Sequence, residues 1–170
     1  GSASTARKGN LLSSIGMLIA IVATLTEANL DYRWIVAGII IGALIGVVAA
    51  KRVEMTGMPE LVALLNGFGG AASFLVGWAQ YMAEYDKGVN ISYFDASVIF
   101  IAIFIGAITS SGSLIAWGKL SGKMGGSPIT FSGQKVLNLV FVFVTFGLGV
   151  AFTILSTGAS GPNILYAFLA

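Results

Sequence analysis

The chain is predicted to be all-α, a polytopic transmembrane helix bundle of five full helices plus the start of a sixth. Three observations lead there. First, 56% of its 170 residues are hydrophobic and only 9% are charged, against about 25% charged in soluble domains. Its mean hydropathy is +0.92. Second, the apolar residues fall into separate runs close to the roughly 20 residues needed to cross a bilayer as a helix. Third, stretches such as Ile39 to Ile45 do not alternate, as the strands of a membrane barrel must. An open sheet edge cannot be satisfied in lipid, so the runs are expected to be helices.

The helices are expected at about 11–28, 34–51, 58–83, 96–118 and 135–156, with a truncated one at 163–170. All of 1–170 is expected to form one transmembrane domain with no nucleotide-binding domain. The polar opening, Gly1 to Asn10, has no apolar core of its own and is not a signal peptide. Arg7 and Lys8 precede the first helix, Lys51 and Arg52 follow the second, and Lys119, Lys123 and Lys135 lie between the fourth and fifth. Seven of the nine basic residues therefore fall on one side. Glu27, Asp31, Arg33, Glu84, Asp86, Lys87 and Asp95 fall on the other. The positive-inside rule makes the first side cytoplasmic, with the N-terminus and the loops at 51–58 and 119–135.

In the second helix Gly38, Gly42 and Gly46 form a small-residue ridge suited to close packing of another helix. The third helix opens with Pro59 and Glu60, which suit a first turn and its dipole. Glu60 also stands where a carboxylate could mark the mouth of a path. Further on, Asn66, Gly70, Ser73 and Gly77 share one face. The fourth helix carries Gly106, Thr109, Ser110 and Ser113 at similar spacing, and the fifth has Asn138 and Thr145. Such stripes serve as interhelical glue or line a hydrated path, and both readings stay open. Asn66, about two turns into its helix, is costly in lipid unless its amide finds partners.

Several chemistries are excluded. The chain has no cysteine and no histidine, which removes thiolate sites, disulfides and the usual proton shuttle. No phosphate-cradling fingerprint follows a strand, and no nucleophile–base pair can be assembled. A net charge of +2 gives no reason to expect a nucleic-acid partner.

The stretch Lys51-Arg52-Val53-Glu54-Met55-Thr56-Gly57-Met58-Pro59-Glu60-Leu61-Val62-Ala63 resembles a motif of the β subunit of proton-translocating nicotinamide nucleotide transhydrogenase. So does Gly106-Ala107-Ile108-Thr109-Ser110-Ser111-Gly112-Ser113-Leu114-Ile115-Ala116-Trp117-Gly118-Lys119-Leu120, and Thr5 to Asn10 is similar to a third family segment. The resemblance runs in order along essentially the whole chain. It implies a membrane domain that couples hydride transfer between NAD(H) and NADP(H), performed by peripheral domains, to proton movement. It implies no catalytic residue and no cofactor or metal held by this chain. The implied partners are the lipid bilayer, α-subunit membrane helices, the NAD(H) and NADP(H) domains, and a second copy in a homodimer. The implied location is the bacterial inner membrane.

Carried onto this sequence, the resemblance puts the family's proton-relay position on Asn66, where many members have histidine. The serine lining the same path falls on Ser113. Thr109 and Glu60 complete the expected proton pathway, and Gly38, Gly42, Gly46, Gly70 and Gly106 the expected packing positions. With no histidine in the chain, a titrating group from another subunit is expected beside Asn66. The alternative is a fragment of a secondary transporter or channel that binds a small solute at the bilayer midplane. In that reading Gly67, Gly69 and Gly70 would break the third helix.

Overall fold

A computed structural model describes residues 3–26, 30–87, 91–128 and 130–157. Among these residues the secondary structure is helical, with five helices long and apolar enough to cross a membrane. The chain is an all-α integral membrane protein. The expected sixth helix at 163–170 and Glu27 lie outside the described residues. The helices fall into two units, one ending at Arg52 and one starting at Val53.

The first unit holds α1 (Ala3–Leu25) and α2 (Tyr32–Arg52). Helix α1 begins well before the apolar run, so Arg7 and Lys8 are helical. Apolarity marks where a helix enters lipid, whereas the backbone hydrogen-bond ladder continues into water. The Asp31 carboxylate accepts from the Arg33 amide at 3.1 Å and caps the start of α2. The Tyr32 hydroxyl donates to the Leu25 carbonyl at 3.0 Å, tying the two helix ends together. No residue of α2 is buried. Its apolar surface is turned outward all round, as suits contact with lipid or other helices.

The second unit opens with a 3-10 turn (Met55–Gly57), followed by α3 (Met58–Asp86), α4 (Tyr93–Leu120) and α5 (Gln134–Ser156). Helix α3 is continuous through Gly67, Gly69 and Gly70, so the broken helix of the transporter alternative is not found. Lipid gives the backbone no other hydrogen-bond partner, and this holds a glycine-rich segment helical. The Ser92 side chain caps α4, accepting from the Asp95 amide at 3.1 Å and donating to the Asp95 carboxylate at 2.6 Å. Gly133, at φ +88°, turns the chain into α5, a backbone angle that a side chain would strain.

The dominant packing is α3 against α4, with α5 set on the far end of the pair. At that end Tyr81, Ile91, Ala96, Ile99, Ile103 and Phe152 form the buried core. The Phe152 ring lies 5.4 Å from Tyr81 and 6.2 Å from Phe100. Gly149 brings the α5 backbone against the Phe100 ring, where a side-chain carbon would collide. At the other end of α4, the Lys123 ammonium sits 4.1 Å over the Trp117 ring.

Candidate functional site

The site is built on the seam between α3 and α4, and glycine makes the seam possible. A methyl group on Gly70 would lie 2.6 Å from the Ser110 nitrogen, 2.8 Å from Thr109 Cβ and 2.9 Å from the Gly106 carbonyl oxygen. One on Gly106 would strike the Phe74 nitrogen and lie 2.7 Å from the Gly70 carbonyl oxygen. Each glycine's Cα–H thus faces the partner's backbone, with a carbonyl oxygen among the nearest atoms. Such contacts recur at close helix crossings and contribute about 0.5–1 kcal/mol each. Further along, a methyl on Gly77 would meet Ile103 Cγ1 at 2.9 Å. The two backbones thus run closer than side chains would permit.

One turn before Gly70, the seam carries its polar pair. Asn66 Nδ2 donates to Ser113 Oγ at 2.8 Å. Ser113 is 7% exposed, held opposite Gly67, whose missing side chain leaves a methyl position only 3.2 Å from Ser113 Cβ. Several helical hydroxyls here fold back onto their own backbone, as Ser97, Ser111 and Thr153 do. Ser113 instead meets a partner on the neighbouring helix. Because its oxygen accepts from Asn66, its own O–H remains a donor. Asn66 itself is exposed, so its carbonyl oxygen and second N–H face whatever lies beside α3. The pair is a polar station open on one side, able to orient water or a further side chain.

The other expected residues are distributed as follows. Thr109 stands over Gly70, one turn from Ser113 on the same seam. Glu60 is half-buried in the first turn of α3, about 9 Å along the axis from Asn66, and is not brought into the pair. Asn138 is exposed and Thr145 half-buried on α5, and neither hydrogen-bonds to the Asn66–Ser113 pair. Gly38, Gly42 and Gly46 form an open ridge, with nothing in their own unit within 4 Å of the side-chain positions.

Two features escape a reading of composition and spacing. Ser73 Oγ donates across the seam to the Ala102 carbonyl at 3.2 Å, a bond that depends on how close the helices come. Glu84 is a loop charge by sequence, yet α3 extends to Asp86 and includes it. It accepts from Gln80 Nε2 at 3.2 Å and pairs with Lys87 at 3.3 Å. The signal for Gln80 was present, since it continues the seven-residue step from Asn66 through Ser73.

The sequence pattern of the NAD(P) transhydrogenase beta subunit matches residues 1–170, the whole chain. The chain belongs to this family. Two similar proteins from Rhodospirillum rubrum, both described as NAD(P) transhydrogenase subunit beta, are 40% identical over 135 residues. The match covers 76% of this chain and 29% of each relative, so the chain spans under a third of the length of these transhydrogenase β subunits. The Asn66–Ser113 bond links a residue three positions past the first resemblance motif to a residue inside the second.

Proposed function

We propose that this chain is the proton-translocating membrane part of a transhydrogenase β subunit, and that the Asn66–Ser113 pair is a station on its proton path. The observation that carries the reading is the 2.8 Å interhelical bond between these side chains. It puts an amide and a hydroxyl together on a seam built mainly of glycine and apolar residues, with unused donors and an acceptor facing outward. Neither group changes charge near neutral pH. Their work is to orient water and to hydrogen-bond a titrating group supplied by another membrane helix or subunit. Thr109 extends the polar surface by one turn, and Glu60 offers a carboxylate at the α3 N-terminal mouth.

Peripheral domains of the complete enzyme would bind NAD(H) and NADP(H) and supply the hydride transfer. Coupling then requires two states of the membrane part, each favoured by a different nucleotide state. The partners in this reading are α-subunit helices, both nucleotide domains and a second copy of the enzyme. Its location is the bacterial inner membrane, with the basic loops cytoplasmic. The deciding experiment replaces Asn66 by Leu in the assembled enzyme and follows proton pumping in vesicles. Leu fills similar space without hydrogen bonds, so pumping should be lost while the enzyme still assembles. Undiminished pumping would refute the reading.

A further inference from the structure

A hydrated route that reaches Asn66 cannot continue between α3 and α4. Beyond the pair, the seam is closed by backbone at Gly70–Gly106 and by side chains at Gly77–Ile103, with no room for water. Any continuation must follow a flank. One flank is an open groove of about 400 Å³, lined by Phe74, Leu75, Ala107 and Leu114 together with Ser110 and Ser111. There the Ser111 hydroxyl is turned back onto the Ala107 carbonyl. That surface offers hydroxyls but no amide and no charged side chain.

The opposite edge of α3 differs in kind. It carries Asn66, Ser73 and Gln80 at steps of seven residues, which drift only about 20° each on a helix, the Ser73 hydroxyl being committed to the Ala102 carbonyl. Glu84 follows one turn later. Helix α4 adds Thr109 and Ser113 to this side of the seam. At 29 residues, α3 is about 44 Å long and exceeds the roughly 30 Å of hydrocarbon. If it is centred in the bilayer, Gln80 lies just inside the hydrocarbon and Glu84 just outside it. Glu84 is about 27 Å along the axis from Asn66.

Glu84 is poised rather than consumed by its contacts. Gln80 Nε2 and Lys87 Nζ both engage Oε1, at 3.2 and 3.3 Å, and this leaves Oε2 for a proton. The side chain retains 23% exposure, so it is open to whatever lies outside the helix pair. An exposed i,i+3 ion pair contributes little to stability by itself, and it does not account for an amide inside the span that reaches toward the same oxygen.

We propose that Glu84 is the proton-exchanging carboxylate at the α3 C-terminal mouth of the path, linked to Asn66 along the edge that bears Ser73 and Gln80. This rests on the reading of Asn66 and Ser113 as a proton station. In one direction, a proton arriving on water from the Asn66 side bonds to Oε2, and the resulting acid releases it to bulk water. In the other direction the same O–H bond forms and breaks in reverse order. Gln80 and Lys87 position the carboxylate through their contacts with Oε1.

The test uses the complete enzyme in proteoliposomes with an enclosed pH-sensitive dye. Glu84→Gln should slow pumping on the order of tenfold or more, the lower end being below the usual effect of losing a proton-transfer group. Glu84→Asp should restore most of it. In the detergent-solubilised enzyme no gradient builds, and hydride transfer reports passage through the path. There, added acetate should speed Glu84→Gln toward the unmodified rate, a rescue that a merely structural role would not show. If Asn66→Leu abolishes pumping but Glu84→Gln pumps normally, this inference fails and the Asn66 reading stands. If Glu84→Gln is slow but neither Asp nor acetate helps, the carboxylate is structural and the inference fails. If Asn66→Leu pumps normally, the reading beneath it fails as well.

Discussion

Replacing Gly70 by Ala tests the seam and the site together. The added methyl would sit 2.6 Å from the Ser110 nitrogen and 2.9 Å from the Gly106 carbonyl oxygen. Both are backbone atoms and cannot swing aside. Ordinary van der Waals contact begins at 3.4 Å, so the helices must part locally by about 0.8 Å, and overpacking of this kind costs about 1–3 kcal/mol. The Asn66–Ser113 bond lies one turn away at 2.8 Å. The same opening would stretch it to roughly 3.6 Å, which is no longer a hydrogen bond. Gly69→Ala is the control, because nothing lies within 4 Å of the position its methyl would occupy. Denaturant unfolding of the two purified variants in one detergent measures the stability difference, and vesicle assays measure pumping. Gly70→Ala should be less stable than Gly69→Ala by that 1–3 kcal/mol and should pump poorly. Equal stabilities would refute the close-contact argument. A destabilised variant with full pumping would show instead that the pair tolerates the opening.

Other perturbations separate the remaining links. Ser73→Ala removes the bond to the Ala102 carbonyl and should cost only about 0.6 kcal/mol in the same unfolding assay, the average for an interhelical hydrogen bond in a membrane protein. The chain has no cysteine, so single cysteines at Gly125 and Phe94, both exposed, can be labelled with a membrane-impermeant maleimide. The expected topology has Gly125→Cys react only from the cytoplasmic side and Phe94→Cys only from the other. Reaction of both from one side would overturn the charge-based orientation.

Much was legible in the sequence because bilayer physics leaves few options. An apolar run of sufficient length must be helical, so composition and run length alone determined five helices and their order. Basic residues sorted themselves into alternate loops, and that ordering was enough to predict a topology. The small and polar stripes on the third and fourth helices were equally visible, since a face is defined by spacing within one helix. Helix ends were less visible. Glu84 and Arg7 sit beyond the apolar runs, where hydrogen bonding rather than apolarity carries α3 and α1 onward.

Partnership between helices was not legible, because in lipid it depends on fit more than on hydrophobicity. Gly38, Gly42 and Gly46 make as regular a ridge as any in the chain, yet no residue of their own unit packs there. Gly70 and Gly106 look no different by pattern, and they hold two backbones in contact. That contact turns Asn66 toward Ser113, lets Ser73 reach Ala102, and denies water the seam. The residue types at the candidate site were thus determined by sequence. Which of them meet, and that any path must run beside α3 and α4 rather than between them, was decided only by the tertiary structure, because close approach is a property of two surfaces together.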